Sequence, residues 1–236
     1  MKRFDLITLF PKMIDGYAGE SILGRAQKKR LIKIKAHDLR KFAKGKHDQV
    51  DDKPYGGGPG MVMMVEPIDR AVRKVARARG AKRARGARGS KIRVILTSAS
   101  GKRFTQADAK RLAEYDQVIF ICGRYEGVDA RVEEAIADES FSIGDYVLTG
   151  GELPALAMTD AIARNVKGVL GKEASLDEES HSEEGVLEYP QYTKPEVYPF
   201  KEGRKKRELT VPSVLLSGHH KKIKLWREEE SKKRSS

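Results

Sequence analysis

Short apolar runs recur along much of the chain, and amphipathic segments lie between them. Runs rich in β-branched and aromatic residues predict strands, whereas apolar residues three and four positions apart predict helices. The alternation of the two predicts an α/β fold. The run Q-V-I-F-I-C at Gln117–Cys122 is apolar at nearly every position, which is typical of a buried parallel strand. The other predicted strands are Phe4–Phe10, Leu31–His37 and Arg93–Thr97.

Helices are predicted where the apolar residues share one face. In Val65–Ala78 they recur at helical spacing, and Pro67 fits the first turn. Ser21 and Thr105 are predicted to cap two further helices. The remaining predicted helices are Lys12–Tyr17, Ser21–Lys29, Gln106–Ala113, Asp129–Ala137, Ala155–Asn165 and a helical end at Ser213–Glu229.

Two segments without periodicity interrupt this pattern. Arg77–Ser90 is dense in arginine and has no apolar side chain larger than alanine, so it cannot pack into a core. It is predicted to be a solvated loop, which either grips RNA phosphates or binds nothing. Glu173–Gly185 is acidic and polar, which predicts a mobile linker. We expect an α/β domain at 1–167, the linker at 168–190 and a small, mostly helical domain with a basic face at 191–236.

Charge and cysteine content narrow the class of protein. The chain has 236 residues and a formal net charge of +13, which favours a polyanionic partner such as nucleic acid. The single cysteine, Cys122, allows no internal disulfide, so we expect a cytoplasmic protein. The N-terminal residues do not resemble a signal peptide, and no apolar run is long enough to cross a membrane.

Two glycine-rich loops carry the strongest candidate chemistry. Gly123–Gly127 follows the predicted strand Gln117–Cys122, and the carboxyl ends of strands are where open α/β sheets bind ligands. Ser142–Ala155 contains three glycines and the apolar run Tyr146-Val147-Leu148. It predicts a tight, buried loop that leads into a helix with Pro154 in its first turn. Such a loop suits a flat heterocycle, whose edge main-chain groups can bind.

Two further patterns do not predict a site. Asp51–Met61 is rich in glycine, but it lacks the G-K-[ST] ending of a nucleotide phosphate loop. His219 and His220 are adjacent, so on a helix their side chains point apart, and no third ligand follows at regular spacing. We therefore assign no metal site from the sequence.

The motifs in these segments resemble the bacterial tRNA (guanine-N1)-methyltransferase family, whose members are trefoil-knot enzymes of the SPOUT class. The resemblance implies a parallel sheet with a C-terminal trefoil knot in the first domain, and S-adenosylmethionine as methyl donor. It also implies a homodimer, a tRNA substrate methylated at guanosine 37 and tRNA binding by the C-terminal domain. Magnesium is implied by the resemblance only. The matching stretches are G-R-Y-E-G (123–127), S-I-G-D-Y-V-L-T-G-G-E-L-P-A (142–155), V-D-D-K-P-Y-G-G-G-P-G-M (50–61), G-V-L-G-K-E-A-S (168–175) and Y-P-Q-Y-T-K-P-E (189–196).

The resemblance also implies which residues contact the methyl donor. The family commonly has Ser-Pro-Gln-Gly at residues 98–101, so Ala99 and Ser100 depart from its pattern, which weakens the expected site only slightly. The residues that match the family's cofactor contacts are Gly123, Ile143, Gly144, Asp145, Tyr146, Val147 and Leu148, with Leu96, Thr97, Ser98, Glu126, Gly150 and Gly151 as an outer set.

The chemistry of the family's reaction indicates the catalytic residues. N1 of guanine carries a proton at neutral pH, so a carboxylate is needed as general base. Glu179 matches the position of the family's catalytic aspartate; the linker has one residue more than usual after Ser180, so Asp177 is the alternative. Arg164 matches the arginine that stabilises charge on the purine oxygen. Without the resemblance, these carboxylates would simply keep a linker solvated, and Arg164 would form a salt bridge on its helix.

Two other functions stay open from the sequence. A non-catalytic RNA-binding protein would explain the basic composition, although it would have no reason to keep a pocket shaped for a methyl donor. A related knotted methyltransferase acting on ribosomal RNA fits the motifs less well. The chain also ends sooner after Trp226 than the family's pattern leads us to expect.

Overall fold

The β-branched and aromatic runs of the sequence form strands, and most of these strands belong to one parallel sheet. The computed structural model describes residues 1–44, 47–77, 91–171, 180, 185–202 and 205–235. The strands are β1 (Lys2–Thr8), β2 (Ile32–Asp38), β3 (Asp51–Asp52), β4 (Val62–Met63), β5 (Ile92–Arg103), β6 (Gln117–Cys122), β7 (Glu139–Ser142), β8 (Val197–Glu202) and β9 (Lys205–Thr210).

The helices lie close to the positions that the sequence predicts. A short 3-10 helix covers Leu39–Phe42. The α-helices are α1 (Pro11–Ala18), α2 (Ser21–Lys28), α3 (Val65–Arg77), α4 (Gln106–Ala113), α5 (Ala130–Ala135), α6 (Glu152–Arg164), α7 (Ser213–Leu216) and α8 (His220–Ser235).

Two compact units make up the chain, Met1–Lys172 and Glu173–Ser236. The first unit holds the five-stranded sheet, in the order β2-β1-β6-β5-β7 with every neighbouring pair parallel. This confirms the α/β class with a parallel sheet. The knotted path of the chain and the boundaries at 167 and 190 stay predictions.

Both faces of the sheet are covered, and β6 shows this most directly. Phe120 belongs to the core cluster that also contains residues of α1, α2, α4 and α6. Its neighbour Ile121 belongs to the opposite cluster, with residues of α3 and α5. Successive side chains of a strand point to opposite faces, so a strand in the middle of such a sheet must be apolar throughout. Cys122 ends β6 and is fully buried, and this burial raises the pKa of its thiol.

The predicted helix caps have different outcomes. Thr105 begins a capping box, because its hydroxyl accepts from the Asp108 amide while the Asp108 carboxylate accepts from the Thr105 amide. The prediction for Ser21 is wrong, since Glu20 takes the N-cap position of α2 and Ser21 lies inside the helix without a capping hydrogen bond.

A bulge in β5 shapes the sheet edge. Thr97 and Lys102 both lie opposite Phe141 of β7, so the residues between them lie outside the regular ladder. The sequence predicted a turn at Ser98–Gly101, and the turn is present as this bulge within one long strand. A Cβ at Gly101 would lie 2.7 Å from the amide nitrogen of Phe141, so only glycine fits there.

The second unit contains a hairpin that the sequence analysis did not predict. β8 and β9 pair antiparallel as a two-stranded sheet, and α7 and α8 follow. The predicted single helix Ser213–Glu229 is divided in two, with Gly218 at a φ of 66° in the break. This backbone conformation favours glycine and ends the helical path. The unit is therefore helical only in part.

Candidate active site

A cavity of about 460 Å³ lies at the carboxyl ends of β6 and β7, beside the bulge of β5. In a parallel sheet this edge gathers the loops that follow neighbouring strands, so ligands commonly bind there. The residues that line the cavity are Leu96–Ser100, Gly123–Val128, Ala130, Glu133, Phe141–Ile143, Tyr146–Gly151 and Pro154.

Main-chain contacts hold the two glycine-rich loops together. The amide of Gly151 donates to the carbonyl of Gly123 at 2.8 Å. Thr97 lies beneath both, because its hydroxyl donates to the Ile121 carbonyl at 3.1 Å and accepts from the Gly123 amide at 3.3 Å. A Cβ at Gly151 would overlap the Thr97 hydroxyl, so glycine is required for this approach.

A buried ion pair links the same loops through their side chains. Nε of Arg124 donates to Oε2 of Glu152 at 2.8 Å, and the Glu152 side chain is only 1% exposed. Oε1 of Glu152 accepts from the Thr8 hydroxyl at 2.7 Å, and Nη1 of Arg124 donates to the Thr149 carbonyl at 2.9 Å. The guanidinium also lies 4.5 Å from the ring centroid of Phe10. Each oxygen of the buried carboxylate therefore has a donor, as a buried charge requires.

Most of the predicted donor-binding residues meet at this cavity. Gly144 and Asp145 do not line it: Gly144 is buried beneath the ring of Tyr146, which a Cβ would overlap, and Asp145 is exposed. The predicted residues that line the cavity are Leu96, Thr97, Ser98, Gly123, Glu126, Ile143, Tyr146, Val147, Leu148, Gly150 and Gly151.

The expectation of a buried loop at Ser142–Ala155 is wrong for its middle, although Ser142 and Gly144 are buried. Tyr146, Val147 and Leu148 are 55%, 84% and 39% exposed. They form one wall of the cavity, and within the described part of the chain they stay exposed to solvent.

Of the predicted catalytic residues, the structure describes Arg164, which does not line this cavity. Arg164 is the last residue of α6, whose first residue is Glu152. A helix rises about 1.5 Å per residue, so Arg164 is roughly 18 Å from Glu152 along the helix axis. Glu179 and Asp177, the alternative bases, lie outside the described residues.

Several residues at the site were missed by the sequence analysis. Arg124 and Glu152 are the clearest, and each is a charged residue within one of the two glycine-rich motifs. A charged residue of opposite sign in each loop was a usable signal for an ion pair. Phe141 and Ser142 gave no such signal, because the end of a strand alone does not show which side chains face a cavity.

The cavity is lined by apolar residues and by polar and charged ones. Arg124 also lines it, but its charge is paired with that of Glu152. Leu96 and Val128 present apolar surface, and Glu126 and Glu133 carry acidic groups. This combination suits a ligand that has a flat, partly apolar ring and a positive charge. Within the described residues no group of three or more His, Cys, Asp or Glu side chains could hold a metal ion.

Comparison with known proteins gives a consistent result along the whole chain. The family model described as tRNA (Guanine-1)-methyltransferase TrmD matches residues 1–236. A tRNA (guanine-N(1)-)-methyltransferase of Ruminiclostridium cellulolyticum is 47% identical over 229 residues, which cover 97% of this chain and 91% of the relative. The protein of the same description from Anaeromyxobacter dehalogenans is 52% identical over 230 residues, covering 96% and 85%. None of the helices in the described part of the chain is long and apolar enough to cross a membrane.

Proposed function

The chain belongs to the tRNA (guanine-1)-methyltransferase family, and we propose that it transfers a methyl group from S-adenosylmethionine to N1 of guanosine 37 in tRNA. The observation that carries the proposal is the cavity walled by the two glycine-rich loops, whose residues are the ones that match the family's motifs.

The cavity suits S-adenosylmethionine in size and in chemistry. Its volume of about 460 Å³ lies within the roughly 300–1,000 Å³ that is common for small-molecule sites. Main-chain groups of Ile143, Tyr146 and Leu148 would bind the adenine edge, and Gly150 and Gly151 would let the chain pass close to the ligand. The carboxylates of Glu126 and Glu133 would favour its positive charge. When bound, S-adenosylmethionine supplies an electrophilic methyl group on a positively charged sulfur.

The protein's own task is then to orient guanine and to move one proton. We assign removal of the N1 proton to Glu179, with Asp177 as the alternative base. Charge that develops on the neighbouring purine oxygen would be stabilised by the guanidinium of Arg164.

The position of Arg164 supports a homodimer. Arg164 lies at the far end of α6, roughly 18 Å along the helix axis from the end at the cavity. The arginine of one copy therefore does not reach the cavity of the same copy along this helix. A second copy could supply it, which agrees with the exposed Tyr146, Val147 and Leu148 that a partner would cover. Among the described residues, no group of acidic or histidine side chains fits magnesium.

The remaining parts of the proposal concern the organisation of the chain. Residues 1–167 would bind the methyl donor in a trefoil knot, 168–190 would carry the base, and 191–236 would bind tRNA in the cytoplasm. A pure RNA-binding protein is the second candidate, favoured only by the basic composition.

Transfer of labelled methyl to tRNA transcripts tests the proposal. One transcript carries guanosine at positions 36 and 37, and the second has adenosine at position 37. Label on the first transcript alone is the expected result. Label on neither, with S-adenosylmethionine still bound, would favour the RNA-binding function, and label on both would reject the site.

A further inference from the structure

The β8–β9 hairpin is exposed on both of its faces. Every residue at 197–201 and 206–210 falls in the exposed class. A two-stranded hairpin is only marginally stable in water when nothing packs against it. Large apolar side chains on such an element therefore indicate a surface that another molecule covers.

One face of the hairpin combines aromatic and basic side chains. Tyr198 lies opposite Leu209, and Phe200 lies opposite Arg207. Residues two apart on a strand, and directly paired residues across the ladder, share a face. Tyr198, Phe200 and Leu209 are 53%, 40% and 42% exposed, so their rings and methyl groups are accessible. We call the surface formed by Tyr198, Phe200, Arg207 and Leu209 the aromatic face of the hairpin.

The positive charge of the hairpin segment indicates which kind of partner binds it. Between Val197 and Thr210 the sequence has five basic residues, Lys201, Arg204, Lys205, Lys206 and Arg207, against two acidic ones, Glu202 and Glu208. A basic strand pair with exposed rings is the combination with which proteins bind unpaired nucleotides, since the rings stack on bases and the cations contact phosphates. A protein partner would not need this excess of positive charge.

We propose that the aromatic face of the hairpin binds unpaired nucleotides of the tRNA substrate. Tyr198 and Phe200 stack on bases, and Arg207 contacts the phosphate backbone. The inference rests on the proposed function for the identity of the RNA, but it concerns binding and not methyl transfer.

The test measures binding of the full-length chain to a tRNA transcript and to a fully paired RNA duplex of similar length. The double variant Tyr198→Ala, Phe200→Ala is expected to bind tRNA at least tenfold more weakly, because stacking on one base is worth roughly a tenfold change or more. Duplex binding should change little, since paired bases offer no free face. The double variant Tyr198→Phe, Phe200→Trp keeps the rings and is expected to retain tRNA affinity.

Two further variants separate stacking from charge and from folding. Arg207→Gln is expected to lower the slope of log Kd against log salt concentration by about one, as the loss of one phosphate contact does. Val197→Ala with Thr210→Ala alters the opposite face and should bind tRNA like the parent. An equal loss of affinity in this control would show that the hairpin acts only through its own folding, and would overturn the proposal.

Other outcomes are equally decisive. Unchanged tRNA affinity in the double alanine variant would overturn the proposal, and so would an equal loss toward duplex. If that variant instead lost binding to vesicles of anionic lipid while keeping tRNA affinity, the face would be a membrane surface. Methyl transfer is followed in parallel: tRNA binding through the hairpin without transfer would reject the proposed function alone, and transfer with unchanged KM in the double alanine variant would reject the hairpin alone.

Discussion

The two units of the chain differ in how deeply they bury their side chains. In the first, even charged residues are enclosed: Asp5 is 0% exposed and Glu152 is 1% exposed, each with hydrogen-bond donors around it. In the second, none of the described residues is in the buried class, and the rings of Tyr198 and Phe200 face solvent. Buried, hydrogen-bonded groups are organised before a ligand arrives, whereas an open surface completes its packing only when a partner binds. The difference suits a first unit that binds a small molecule and a second that binds a large one.

The largest effect is expected at the predicted general base in the acidic segment Glu173–Gly185. If Glu179 is the general base, Glu179→Gln should lower kcat by about 10²–10⁴-fold, which is the usual contribution of such a group. Affinity for S-adenosylmethionine, measured by calorimetry, should stay as in the parent. Asp177→Asn is the matched control. Full activity in Glu179→Gln with a loss in Asp177→Asn would transfer the role to Asp177.

The buried ion pair of the first unit should be the next most sensitive point. Glu152→Gln leaves Arg124 without a charged partner at a site where Glu152 is 1% exposed. Breaking a buried pair from one side costs about 3 kcal/mol, which urea unfolding would measure. Arg131→Gln, at an ion pair whose arginine is 64% exposed, is the control and should cost much less, because solvent screens an exposed pair. Equal costs would show that the Arg124–Glu152 pair is no stronger than a surface pair.

A smaller loss is expected when the enclosed loops are forced apart. Gly151→Ala places a Cβ over the Thr97 hydroxyl. Overpacking of this kind costs about 1–3 kcal/mol, and here it should also weaken binding of S-adenosylmethionine. Gly16→Ala, in α1 with nothing within 4 Å of the added Cβ, is the control. If Gly151→Ala left the affinity for S-adenosylmethionine unchanged, the contact between Gly151 and Thr97 would not contribute to binding of the methyl donor.

The smallest effect is expected in the dependence of thermal stability on acidic pH. Burial alone would raise the pKa of Asp5, but hydrogen bonds from His37 and Arg3 outweigh it, so this pKa lies below its ordinary value. The ionised carboxylate therefore stabilises the fold above the unfolded pKa of about 4, and this stability is lost as the pH falls through the folded pKa. Asp5→Asn should flatten the fall in Tm on acidification, while the exposed Asp145→Asn serves as control. A slope as steep as that of the parent would contradict the assignment.

The interior of the first unit could largely be predicted from the sequence. Apolar runs determine strands such as β6 because a strand buried on both faces tolerates little else. The capping box at Thr105 was readable for a similar reason, since its hydrogen bonds are local in sequence. Of the thirteen residues that the family motifs predicted as donor contacts, eleven line the cavity.

The features that were missed depend on contacts far apart in the chain. Thr8 meets Glu152 across the sheet edge, and no local pattern shows that pairing. The hairpin was missed because Pro199 and the charged residues around it weaken the strand pattern, while pairing across the ladder supplies the strand structure. The exposure of Tyr146 was also missed, because the local sequence does not show whether another part of the fold packs over a loop.

The burial of Cys122 has a practical consequence for labelling. It is the single thiol of the chain, it is enclosed in β6, and burial keeps its pKa well above the usual range. Maleimides react with accessible thiolates, so the native protein should resist them. A cysteine introduced by Thr210→Cys, at the exposed end of β9, would then take a fluorophore selectively. Fluorescence measurements on the hairpin therefore do not require that Cys122 be replaced first.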